Sequence, residues 1–397
     1  MYEDDALALA KDGMPGFNPE LFAAMADMIY KKGGFDINQL KSQEARSVMA
    51  ETARIINSGV SSSLPEDCPD ALRYALENNA FIFSGFKTFH SMREIGLSMV
   101  NDRGTVKQYE DFKKDVQRIN AHYNTNYLHA EYYHAVGSAQ MAARWSEYAK
   151  DGDRYDLQYR TAGDSHVREE HRLLDGITLP VDDPFWDKYF PPNGWGCRCE
   201  AAQVRKGKYP LSDSADSMRK GDNITAGVKQ QIFRFNPGKT MKLFPPKHPY
   251  YKVPHEVKAK INEVASEEQS KMQAKELVKW YKENLPTTKV GKFNAKRFDV
   301  SMPNGEHVYV TRNFYNECIS KYASDKLYIA RLIYARMAHL ILPNSKRISV
   351  EKGIDHPDAT FDVYQFDEDS KYTIELKVKR NNDGLFLHYL RLYEKQK

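Results

Sequence analysis

Between Tyr159 and Cys199 the chain reads Tyr-Arg-Thr-Ala-Gly-Asp-Ser-His-Val-Arg-Glu-Glu-His, then Leu-Leu-Asp-Gly, then Asp-Asp-Pro-Phe-Trp, and closes on Pro-Pro-Asn-Gly-Trp-Gly-Cys-Arg-Cys. Prolines and glycines break any long regular element here, while Asp, His and Cys supply groups that can hold a fold together from the side chains. Such a density of special-geometry and coordinating residues does not belong to an ordinary surface loop. Cys197 and Cys199 are one residue apart. If that tripeptide is extended, both side chains point to one face, so two thiolates can converge on one ion. His171 and Asp164, seven apart, share a face if their segment is helical, and His166 is a further candidate. Thiolate and imidazole together favour zinc. Three readings stay open. A hydrogen-bonded Asp/His pair could pin the Cys-Arg-Cys turn without metal; a structural zinc on Cys197, Cys199, His171 and Asp164 could fix the Asp182–Trp195 loop; or the cluster could be catalytic.

With 397 residues, two or three domains are expected. A mean hydropathy of −0.68 and 28% charged residues predict a soluble chain, and no apolar run approaches the roughly 18 residues that span a bilayer. Met1-Tyr-Glu-Asp-Asp-Ala lacks the basic and apolar regions of a signal peptide. Cys68 and Cys318 are isolated, so no disulfide framework is implied and a reducing cytoplasm is the simple reading. Residues 289–397 hold 19 Lys and Arg against 14 Asp and Glu, 19 − 14 = +5, so the whole net charge of +4 resides there and the rest is near neutral. A basic terminal domain suggests a nucleic-acid partner, with ordinary solubility charge as the plain alternative.

The pattern predicts a multidomain chain: an α-rich first part with a small β/loop region at the signature, then a linker, then an α+β domain. Phe22, Met25, Met28 and Ile29 recur at helical spacing, as do Val48, Thr52, Ile55 and Ile56. Tyr109–Lys150 reads as one or two long helices, and Leu157–Thr161 as a short strand. Residues 206–288 read as a proline-punctuated linker, extended over a surface and ending in a charged helix, His255–Asn284. In residues 289–397, Arg297–Val300 and Val308–Thr311 flank an Asn-Gly turn. A helical run, Phe314–Leu342, follows. Three strands, Phe361–Phe366, Tyr372–Val378 and Leu385–Tyr393, form an antiparallel meander.

The signature from Tyr159 to Cys199 closely resembles that of the phage Mu F-like head morphogenesis family, minor head proteins that associate with the portal of tailed-phage capsids. The resemblance covers about residues 40–205, so 1–205 is read as the head-morphogenesis domain. It implies phage portal and capsid proteins as partners, no membrane, and a location in the virion and host cytoplasm. It also implies an acidic residue on the preceding helix, Glu131, as a buried carboxylate bracing the signature. Trp186 and Trp195 would cover the loop, and Arg168 and Arg198 would brace nearby carbonyls and carboxylates.

Members of this family sometimes carry a toxin-like module after the head domain, and residues 289–397 resemble, in layout only, the barnase–EndoU–colicin–RelE class of small RNases. That resemblance implies metal-independent chemistry: a base for the ribose 2′-OH, an acid for the leaving oxygen and a cation for the phosphorane. Glu375, Lys377 and Lys379 alternate on one strand and project from one face. With either His388 or Arg391 from the next strand they would supply those roles; as the plain alternative, all are solvent-facing residues of an amphipathic sheet. A toxin would imply an immunity protein as a further partner. A rival pattern, Pro357-Asp358 with Glu375-Leu-Lys377, matches magnesium-dependent nucleases, with Asp358 and Glu375 holding the ion and Lys377 positioning water. A third class is a purely structural head protein whose basic tail binds DNA or a partner.

Overall fold

Short polar side chains start the helices by accepting backbone N–H groups. Asn18 caps α1 (Pro19–Lys31) and Ser42 caps α2 (Gln43–Ser63), while Pro69 precedes α3 (Asp70–Ser98). Next come α4 (Tyr109–Ala121), a π-helical stretch (His122–Tyr127) and α5 (Leu128–Tyr148). The computed structural model describes residues 13–290, 293–320, 327–352, 359–367 and 372–395. The apolar positions read from the sequence, among them Phe22, Met25, Ile29, Val48 and Ile55, line the buried core of this helical part, together with Phe83 and Phe86. No helix among the described residues is long and apolar enough to cross a membrane.

The signature region follows α5. Strand β1 (Tyr155–Arg160) pairs antiparallel with β2 (Thr178–Pro180) on one side and β3 (Glu200–Arg205) on the other. A separate core of Leu157, Tyr159, Leu174, Leu179, Phe185, Trp186, Tyr189, Phe190 and Cys199 lies beneath this small sheet.

The chain divides into two units at Ala265/Ser266, inside the helix α6 (His255–Asn284); the boundaries expected from the sequence lie at 205 and 288. Residues 235–251, expected to run over a surface, contribute Leu243 and Phe244 to the helical core instead. Phe244 stacks on Phe83 with ring centroids 3.6 Å apart. An irregular segment can be buried only if its backbone groups find partners. Here the Asn79 side-chain carbonyl accepts the N–H groups of Leu243 and Phe244 at 2.9 and 3.2 Å.

The second unit is α+β. Among the described residues seven strands form one sheet: β4 (Thr287–Val290), β5 (Phe293–Ser301), β6 (His307–Thr311), β7 (Lys346–Lys352), β8 (Thr360–Phe366), β9 (Tyr372–Asn381) and β10 (Gly384–Glu394). Their spatial order is β4-β5-β6-β10-β9-β8-β7. All neighbours are antiparallel except β6 and β10, which run parallel, so the sheet is mixed rather than a simple meander. Helix α7 (Arg312–Ser320) starts two residues before the expected helical run Phe314–Leu342, and α8 (Tyr328–Ile341) lies within it. Their apolar residues pack with Ile374, Leu376, Val378, Leu387, Leu390 and Leu392 from one face of the sheet.

Candidate functional site

The signature builds its site from three short pieces. Only Glu169–Arg172 is helical between β1 and β2, a single turn that places His171 inward, 5% exposed. The Gly194–Cys197 turn closes with Cys197 N–H donating to the Gly194 carbonyl, and Gly196 takes a φ of +66°, where a side chain would be strained. Cys197, Arg198 and Cys199 then run extended into β3. The alternation sends both thiols to one side and Arg198 to the other. His171 Nδ1 lies 3.6 Å from Cys197 Sγ and 3.5 Å from Cys199 Sγ, and the three donor atoms lie within 4.8 Å of one another.

Asp164 is not among them. With helix limited to one turn, the spacing of seven from His171 does not put the two on a shared face. Asp164 meets the opposite side of the Cys-Arg-Cys tripeptide, accepting hydrogen bonds from both terminal nitrogens of Arg198 at 2.6 and 2.7 Å. That bidentate contact holds the carboxyl down to about 2. The His166 N–H donates to the same carboxylate, and His166 itself is exposed. Arg168 donates to the Trp195 carbonyl at 2.6 Å, so both arginines brace this loop.

The two thiols are unequal. Hydrogen bonds from Cys199 and His171 hold the Cys197 thiol well below its ordinary value. The neighbouring Cys197 sulfur and burial push Cys199 up. The buried Tyr159 hydroxyl, which also contacts Cys199, donates to Asn193 Oδ1 at 2.9 Å. Trp186 donates its indole N–H to the Pro180 carbonyl at 3.0 Å and is fully buried.

A second polar cluster lies in the helical core. Lys87 of α3 and Glu131 of α5 form an ion pair with both side chains almost completely buried. Burial lowers the lysine and raises the carboxyl, and the Tyr250 hydroxyl hydrogen-bonds Glu131 as well. Glu131 is thus buried, as expected; Lys87 and Tyr250 were missed. A signal for Lys87 did exist, since it lies four residues after Phe83 on the same apolar helical face. Trp195 joins this core to the signature loop, its ring set edge-on against His134, Phe233 and His248 at 4.9, 5.2 and 5.7 Å.

Residues 103–202, from before α4 into β3, match the family model described as phage Mu protein F like protein. Over these residues the chain resembles the phage Mu F-like family. The Mu F-like region is similar to a protein of Escherichia phage Mu named putative capsid assembly protein F, 29% identical over 145 residues, which is 34% of this chain and 30% of that protein. It is also similar to the Mu-like prophage FluMu F protein of Haemophilus influenzae, 35% identical over 89 residues, 20% of this chain and 22% of that protein. The chain thus aligns with less than a third of the length of either relative. No solved structure matches it.

Outside the Mu F-like region, the second unit gathers its predicted residues on the sheet face away from the helices. Glu375 and Lys377 alternate with the core residues Ile374, Leu376 and Val378. Arg391 pairs across from Glu375, and Tyr389 across from Lys377. The register shifts between Leu387 and Tyr389. This β-bulge frees His388 from strict alternation, and its ring lies 5.3 Å from Phe361 of β8. Both His388 and Arg391, offered by the sequence as alternatives, therefore share the face with Glu375 and Lys377. Lys377 is paired with Glu351 of β7 at 2.5 Å and lies 4.0 Å from Glu375, so part of its charge is already answered. His388 and Lys379 also line a cavity of about 430 Å³ with Thr311, Asn313, Asn316 and Glu317, where β6 ends beside β10. Asp358 of the magnesium pattern lies outside the described residues.

Proposed function

We propose that this chain acts in phage or prophage head assembly, docking near the portal as a minor capsid protein, present in the virion and, before assembly, in the host cytoplasm. The observation that carries the reading is the likeness of residues 103–202 to proteins named for capsid assembly, because that segment contains α5, the Cys–His cluster and the Trp195 bridge. The loop braced by Arg168 and Arg198 and seated by the Trp195 ring would be the docking body. The test is co-expression with phage capsid and portal proteins. Co-sedimentation with procapsids, lost in Trp195→Ala, is the expected result; procapsids that assemble normally and never retain the chain would overturn it.

A second reading concerns residues 289–397. We infer a candidate metal-independent RNase in which Glu375 is the base, His388 the acid, and Lys377 and Arg391 stabilise the phosphorane. The bulge that puts His388 on the face of the other three favours it. Its test is RNA and DNA cleavage by the full chain, with magnesium and with EDTA, beside Lys377→Ala and His388→Ala. RNA cleavage that survives EDTA and is lost in the variants is expected, with toxicity relieved by a neighbouring immunity protein. Magnesium-dependent cleavage would move the roles to Asp358, Glu375 and Lys377. Salt-dependent DNA binding without cleavage would leave a structural protein with a binding tail.

A further inference from the structure

We propose that His171, Cys197 and Cys199 bind a zinc ion that locks the loop between β2 and β3 against β1. Zinc takes thiolate sulfur at about 2.3 Å and imidazole nitrogen at about 2.0–2.1 Å in a tetrahedral shell. That geometry separates nitrogen from each sulfur by about 3.5 Å. The structure has 3.6 and 3.5 Å. Hydrogen bonding alone accounts poorly for this equality. Whether it donates or accepts, an imidazole nitrogen makes one in-line hydrogen bond, yet Nδ1 is nearly equidistant from two sulfurs. A central cation answers all three atoms at once.

The surroundings suit a structural role. Cys199 and His171 are buried at 8% and 5% exposure, and each comes from a different piece of chain: the turn after β1 and the approach to β3. The ion therefore links segments 26 to 28 residues apart. Asp164 is excluded from the shell because Arg198 engages both of its oxygens. Among the described residues no fourth side chain joins the cluster, so the fourth position falls to water.

The test uses the full chain, expressed in zinc-supplemented medium and desalted after a mild chelator wash. Elemental analysis is expected to give close to one zinc per chain, with at least a tenfold loss in Cys199→Ser and full retention in Asp164→Ala. Cobalt substitution of the wild-type chain reads the same shell without any variant and is expected to show a thiolate-to-cobalt charge-transfer band. Zinc removal by a strong chelator should lower the Tm of the wild type and leave that of Cys199→Ser unchanged. A wild-type chain that carries no zinc above the Cys199→Ser level and gives no cobalt band overturns the proposal. Loss of metal in Asp164→Ala equal to that in Cys199→Ser overturns the ligand set.

Discussion

Lys87 and Glu131 put the largest electrostatic stake at a single point. Neither charge sees water, so each depends on the other and on the Tyr250 hydroxyl. Removing one partner leaves a buried charge unanswered, at a cost of about 3–5 kcal/mol, whereas replacing both by apolar groups of similar volume is often neutral. Lys87→Met should therefore be far more destabilising than Lys87→Met with Glu131→Leu, in urea denaturation followed by circular dichroism. If the double variant is as unstable as the single one, packing rather than charge holds this site. Much of the signature was legible at this scale. Two cysteines at i and i+2 meet one face whenever the backbone is extended, so their convergence needed no knowledge of the fold. Asp164 was not legible, because its place depends on whether the chain between it and His171 is helical. The sequence between them, with Gly163 before and Glu169-Glu170 after, permits either.

Helix contacts in the first unit turn on glycine. A Cβ at Gly59 of α2 would stand 2.6 Å from the Tyr132 ring and 2.7 Å from Val136 Cγ2 on α5. Gly59→Ala should force these helices apart and cost about 1–3 kcal/mol, typical of overpacking. Ser61→Ala, on the exposed side of the same helix, should be near neutral; equal midpoints for the two variants in thermal melts would refute the close approach. Element type was well marked in the sequence, and pairing was not. The Asn304-Gly305 turn announced the β5–β6 hairpin. Strand β7 escaped notice because all seven of its residues are exposed, which erases the alternation that betrays a half-buried strand. The parallel seam between β6 and β10 also had no local signal, since it joins residues nearly eighty positions apart. The bulge at His388 follows from how β10 meets its neighbour β9, so alternation counted along the strand could not foresee it.

For the molecule as a whole, acid should weaken the first unit before its carboxylates are protonated. Burial lowers His134 to about 4 and His248 to about 3, the latter also repelled by His134, Lys87 and His90. Both are depressed below the unfolded value of about 6.5. The unfolded chain therefore takes up protons that the folded one refuses as pH falls below that value. Stability is full above about pH 6.5 and declines toward 4, by up to about 1.4 kcal/mol per pH unit for each histidine. His248→Asn keeps an acceptor for the Tyr250 N–H, which His248 Nδ1 now takes at 3.2 Å, and should flatten the decline. Urea midpoints followed by tryptophan fluorescence between pH 7.5 and 4.5 would show this, and an unchanged slope in the variant would assign the effect elsewhere. The second unit carries a different constraint, one of timing. Its sheet is centred near β10, the last of the seven strands to leave the ribosome. Until residues 384–394 are made, β6 and β9 each present an open edge that only β10 can close. Synthesis therefore holds the unit as two unfinished half-sheets, and a ribosome stalled before Gly384 would release a chain prone to aggregate.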